Sequence, residues 1–250
     1  MTGTTTPATE VAGKPAALWE DFVDVFTNPS AVFARRRDGS YAAGVTLFGA
    51  LAALVFVATR SFWQPFFDRQ FEVAFAAQRA SGTLTPEQLE QGRAAAERFG
   101  NIGLWLAGLI GPALTVLFVA LLILGAARVL GARLSYGQSL VIATVAYVPR
   151  LLASIVGAGV LAVKDAVTLA AGVMPTSPAA LLGPDTSRVV GALLGRFDPF
   201  VLWSTVLIGI GVAVIGRVSR QTGFTAAGLV WGVATLGALL SAVRAAAAGG

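Results

Sequence analysis

Long stretches of the chain are apolar on every helical face, and the short stretches between them carry the charge. A helix that crosses a bilayer needs roughly 20 mostly apolar residues. Five stretches meet that length: 42–60, 102–127, 134–163, 199–216 and 221–243. Charges bracket them, among them Asp38 and Arg60 around the first and Asp198 and Arg217 around the fourth. None shows a polar stripe at the helical period, as expected where lipid or other helices surround the segment. The pattern predicts an all-α, polytopic membrane protein with a five-span bundle. A sixth uncharged run, 166–184, contains Pro175, Pro178 and Pro184. Three prolines remove amide donors that hydrocarbon cannot replace, so this run is expected outside the membrane or at its interface.

The segment before the first span has a different period. Residues 1–17 are rich in Thr, Ala, Gly and Pro and are expected to form a disordered tail. Residues 18–41 read as an amphipathic cytoplasmic segment. Leu18, Trp19, Phe22, Val25 and Phe26 share one helical face, with Glu20, Asp21 and Asp24 off it. Asn28-Pro29 ends that helix. A short turn through Val32 and Phe33 then leads to Arg35, Arg36 and Arg37. Two readings stand side by side. Trp19, Phe22 and Phe26 lie in the membrane surface with the three arginines on anionic lipid, or the helix packs on the protein's own bundle. Between spans one and two, Thr85-Pro86 is a helix start, with Thr85 as N-cap. The loop there reads as a solvated helical hairpin of balanced charge.

Composition sharpens the class. Only 12% of residues are charged and 56% are hydrophobic, with a mean hydropathy of +0.75. Soluble domains carry about 25% charged residues; a chain with half that number is not an ordinary soluble enzyme. The net charge of +5 is read through the positive-inside rule rather than as a nucleic-acid signal. Arg128 and Arg133, Arg217 and Arg220, and Arg35 to Arg37 flank spans on one side without matching acids in the two short loops. The expectation is a multi-pass protein of the cell membrane with its N-terminus cytoplasmic and its C-terminus outside. Cysteine and histidine are absent, and no GxxxxGK[ST], HExxH or GxSxG occurs. No metal site, cofactor or catalytic activity is expected.

Arg150 is the one charged side chain in the interior of the five spans. At a helix centre it costs about 2.5–3.5 kcal/mol, so it should face protein or water. Pro149 beside it leaves carbonyls without donors, which a guanidinium can serve. Tyr147, Pro149 and Arg150 are therefore the candidate intramembrane polar site. The bland reading is an arginine that snorkels to the interface; the sharper one is a polar pocket between spans three, four and five. Small residues four apart recur as Ala107/Gly111, Ala153/Gly157, Gly209/Ala213 and Gly228/Gly232, and are expected in packing seams within the chain.

Three segments carry a resemblance: GARLSYGQSLVIATVAYVPR at Gly131–Arg150, FDPFVLWSTVLIGIGVAVIGRV at Phe197–Val218, and VFTNPSAVFARRR at Val25–Arg37. In order and spacing the chain resembles the Yip1 family of five-span membrane proteins over residues 18–240. Arg150 departs from the apolar residue usual there. The resemblance implies a cytoplasmic N-terminus, five spans and no known catalysis. Eukaryotic relatives are associated with Rab GTPases and vesicle traffic. The Ala-, Gly- and Arg-rich composition with two lysines looks like that of a GC-rich bacterial genome, so that partner is not carried over. Two functions follow: a non-enzymatic scaffold or adaptor in membrane organisation and trafficking, or a small-solute permease or channel with a pocket around Arg150. The expected partners are the lipid bilayer and other membrane proteins, a second copy included; nucleic acid is not among them.

Overall fold

A computed structural model describes residues 17–38, 41–80, 82, 84–164, 168–169, 173–183 and 185–247. Of the expected tail over 1–17, residues 1–16 lie outside the described residues and Ala17 is the N-cap of α1. The described elements are α1 (Leu18–Asp24), α2 (Pro29–Arg35), α3 (Ala42–Ala80), α4 (Pro86–Val129), α5 (Tyr136–Val163), a 3-10 turn (Pro178–Leu181), α6 (Arg188–Gly195), α7 (Pro199–Gly216) and α8 (Arg220–Ala247). Five of these, α3, α4, α5, α7 and α8, are long and apolar enough to cross a membrane. The fold is an all-α membrane bundle.

Caps fix where the helices begin. Thr85 Oγ1 accepts from the Gln88 amide at 3.3 Å, and Gln88 Oε1 accepts from the Thr85 amide at 2.9 Å. Ser135 and Gln138 repeat that reciprocal pair at the start of α5. Asn28 caps α2 through its Oδ1 and the Ala31 amide, with Pro29 at the first helical position, where it has no amide to lose. Asp198 Oδ1 caps α7 through the Phe200 and Val201 amides.

Two helices exceed the expected spans. With 39 and 44 residues, α3 and α4 extend about 58 and 66 Å at ~1.5 Å per residue. A hydrocarbon core is only about 30 Å thick. The hairpin between spans one and two is thus the continuation of α3 and α4 themselves, tied by Arg93 to Glu72 at 3.4 Å and Arg60 to Asn101 at 2.9 Å. Pro149 does not interrupt α5, which runs unbroken from Tyr136 to Val163. Pro65 and Pro112 likewise sit inside α3 and α4.

α5 is the central helix. Half of its most apolar window is buried, against 17% in α3, and it packs on α3, α4 and α7, with α8 against α7 and α4. The main core joins Val32, Phe33, Phe48, Ile123, Ile142 and Leu207. The tightest seam is α7 on α8: a Cβ on Gly223 would collide with the Gly209 carbonyl oxygen and stand 2.9 Å from Ala213 Cβ. The small-residue pairs divide accordingly. Gly209/Ala213 lies in that seam and Gly157 receives the Trp63 ring, but Gly111, Gly228 and Gly232 face open space. A second core lies at the other end: Trp63, Phe66 and Ala158 pack on Leu169, Val173, Ala179 and Ala180. The described part of the proline-rich run is therefore a packed cap over the helix ends.

α1, α2, the start of α5 and the end of α7 share one end of the bundle. Gln138 Nε2 donates to the Arg37 carbonyl at 3.1 Å, and Arg37 Nη2 donates to the Val214 carbonyl at 3.2 Å. The 3-10 turn, α6 and the start of α7 form the opposite end.

Candidate functional site

At the first end, the sequence-derived surface contacts separate. Val25, Val32 and Phe33 are fully buried and Phe22 nearly so, all within the main core. Trp19 (61% exposed), Val23 and Phe26 point outward. The split follows from Asp21. This residue, expected on the polar face, is fully buried. Its carboxylate accepts from Arg35 Nε at 2.8 Å, Arg36 Nε at 2.7 Å and the Tyr41 hydroxyl at 3.1 Å. Arg35 also reaches Asp24 at 2.6 Å. Arg35 and Arg36 are engaged with the chain's own acids, and Arg37 with α7. Burial, and next the Asp21 charge, push the Tyr41 phenol above its ordinary value. Asp21 and Tyr41 were not legible as a clasp: their partners are 14 to 20 residues away.

Toward the opposite end, Arg150 stands fourteen residues past Tyr136, about 21 Å along α5 at ~1.5 Å per residue. It is half-buried, as is Tyr147, and Pro149 is buried. Its guanidinium makes no hydrogen bond or ion pair with a described residue; the carbonyls freed by Pro149 are not its partners. It forms part of the wall of two clefts instead. The first, about 460 Å³, lies between α3, α5, α6, α7 and α8 and also takes in Arg188, Arg196, Thr176 and Asp198. The second, about 410 Å³, lies between α3, α4 and α5 and is lined by Phe56, Trp63, Phe67, Gly111 and Tyr147. Arg150 and Met174 border both.

The first cleft is cationic because three arginines line it against one acid. Asp198 is buried, caps α7 through Oδ1 and accepts the Thr176 hydroxyl through Oδ2. Asp198 and Arg150 border the same cleft without an ion pair. Arg196 donates from Nε to Thr235 Oγ1 at 3.2 Å and lies over the Trp231 ring. Burial, and next the charge of Arg150, lower its pKa. Sequence reasoning missed Arg188 and Arg196; the available signal was two arginines about two turns apart before the fourth span.

The second cleft depends on aromatic packing. Trp63 donates Nε1–H to the Ser154 carbonyl at 3.1 Å, and Phe56 meets Trp105 edge-on at 5.6 Å. Gly108 leaves room for the Phe56 ring, 2.5 Å from where a Cβ would stand. Among the described residues no group of three or more His, Cys, Asp or Glu is placed to hold a metal ion.

In comparisons with known proteins, a family model described as Yip1 domain matches residues 23–242. No curated protein and no solved structure matches the chain.

Proposed function

The chain belongs to the Yip1 domain family, and from that premise we propose that it is a non-enzymatic membrane scaffold or adaptor with its N-terminus cytoplasmic. The observation that carries this reading is the docked α1–α2 unit. Asp21 and the buried Phe22, Val25 and Phe33 fix it to the bundle, which holds Trp19, Val23 and Phe26 outward as an apolar ledge at one end of the bundle. Such a ledge takes lipid or a partner's apolar surface. The orientation is supported by charge: the linkers holding Arg128, Arg133, Arg217 and Arg220 lie at the same end as Arg35 to Arg37.

A photo-crosslinker replacing Val23, used in intact membranes, tests the scaffold. The expected result is a reproducible set of membrane proteins, lost when Trp19 and Phe26 are both changed to Ser. Crosslinks to lipid alone overturn it. The clefts beside Arg150 favour a second reading, the small-solute permease or channel. Flux of a small anion into liposomes holding the purified protein, abolished by Arg150→Leu, would raise it above the scaffold.

A further inference from the structure

We propose that Arg150, Arg188 and Arg196 bind the phosphate head of a long-chain amphiphile whose chain lies in the apolar cleft between α3, α4 and α5. The proposal stands apart from both readings above, because a bound lipid requires neither solute flux nor a protein partner.

Three observations converge. First, the three arginines lie on α5, at the first residue of α6 and just after its last, and all line one cleft. None makes an ion pair with a described residue. The contrast with Arg35 and Arg36, both held by Asp21, is internal to the same chain. The acid in the cleft, Asp198, has its oxygens committed to two backbone amides and Thr176. Guanidinium is the side chain best matched to a phosphate, with donors arranged in a planar fork.

Second, Arg150 also borders the apolar cleft, where Phe56, Trp63, Phe67 and Gly111 form the wall. A ligand with its anionic head on Arg150 has apolar volume beside it, and a chain there satisfies both surfaces at once. A free phosphate satisfies only the first. Third, the arginines are spread from the end of the bundle toward its middle. Arg188 and Arg196 bracket α6 at the end of the bundle where α7 begins, and Arg150 lies about 21 Å along α5, near the middle of its 28 residues, so the site runs from that end inward. Basic pockets between spanning helices are a known mode of headgroup binding.

The test uses the full chain in nanodiscs and in detergent, with lipid retention read by native mass spectrometry. The probes are dioleoyl phosphatidic acid, dioleoyl phosphatidylcholine and inorganic phosphate. The expected result is selective retention of phosphatidic acid. Arg150→Gln and Arg188→Gln should each weaken it about tenfold, the size expected for losing one charge-assisted contact. Arg220→Gln, at the other end, should leave it unchanged. Gly111→Phe fills the apolar cleft from a position that faces open space; it should weaken phosphatidic acid and leave inorganic phosphate unaffected. Should Arg150→Gln fail to fold, Arg188→Gln carries the same comparison. Equal retention of phosphatidylcholine, or arginine variants that bind like the parent, overturns the proposal. Inorganic phosphate binding as tightly as phosphatidic acid, with no effect of Gly111→Phe, overturns the chain site and leaves a free-anion pocket.

Discussion

Replacing Asp21 with Ala should release α1 and α2 from the bundle while the spanning helices stay folded. The carboxylate is fully buried and takes donors from Arg35 at 2.8 Å, Arg36 at 2.7 Å and Tyr41 at 3.1 Å. Hydrogen bonds to a charged group contribute about 1.5–3 kcal/mol each, and breaking a buried ion pair from one side costs about 3–5 kcal/mol. The cost here is smaller than the sum. Arg35 keeps Asp24 at 2.6 Å, and the side chains of Arg35 and Arg36 are 28% and 22% exposed, so both rehydrate. About 2–4 kcal/mol is the resulting estimate, or a roughly 30- to 1,000-fold rise in the open population. Amide hydrogen exchange of the detergent-solubilised protein reads this directly, because local opening sets the exchange rate. Amides in 18–35 should exchange faster by that factor, and those in 201–212 of α7 should not change. Asp21→Asn, which keeps the shape and loses the charge, should fall between. Unchanged protection in 18–35 would refute the clasp. An equal loss across α7 would refute its being local.

Burial and Asp21 raise the Tyr41 phenol, so the neutral form is favoured in the folded state. The clasp is therefore at full strength below the ordinary tyrosine value of about 10 and weakens as pH rises toward the elevated one. Hydrogen exchange in 18–35 should show this alkaline dependence in the parent and lose it in Tyr41→Phe; identical profiles would remove Tyr41 from the clasp. Gly223→Ala should lower the detergent melting temperature, with a cost of about 1–3 kcal/mol, because its Cβ meets the Gly209 carbonyl. Gly228→Ala faces open space and should be neutral or stabilising by up to about 1 kcal/mol; equal effects would contradict the seam. In a chain without native cysteine, probes at Ser135→Cys and Ser219→Cys should label from the cytoplasm and one at Asp185→Cys from the far side. The reverse pattern inverts the orientation.

Spans and caps were legible because they are local. An apolar run needs no distant residue to be recognised, and Thr85-Pro86 announces a helix start within a few residues; Asn28-Pro29, read as the end of α1, is also the start of α2, and Asp198, read as a flanking charge, caps α7. The extension of α3 was less legible: 61–80 mixes charge with aromatics, a composition that fits a solvated loop or a continuous helix equally, whereas the helix start at Thr85-Pro86 already led into α4. Asp21 misled for a different reason. Its helix has apolar residues on more than one face, so periodicity alone placed it with Glu20 and Asp24, and only Arg35, Arg36 and Tyr41 turn it inward. Arg150 stood out as a lone charge in a span. Its companions did not, because Arg188 and Arg196 reach it only through the packing of α6 on α8 and the fold of the cap.

The two ends of the bundle treat arginine in opposite ways. At the α1–α2 end, a single buried carboxylate gathers two guanidiniums and turns them into internal structure. Toward the far end, three arginines line one cleft and the nearby carboxylate caps a helix. Neutralising them from within would need little, since an acid in place of Ser241 or Gln70 would border the same space. Charge at membrane depth is costly when no opposite charge faces it, and the charge of Arg150 near Arg196 adds to that cost. The cleft is thus a less stable arrangement alone than with an anion in it, and anything that binds only the folded chain stabilises it by mass action. Counter-charge supplied from the bilayer would let the same arginines serve as structure when occupied.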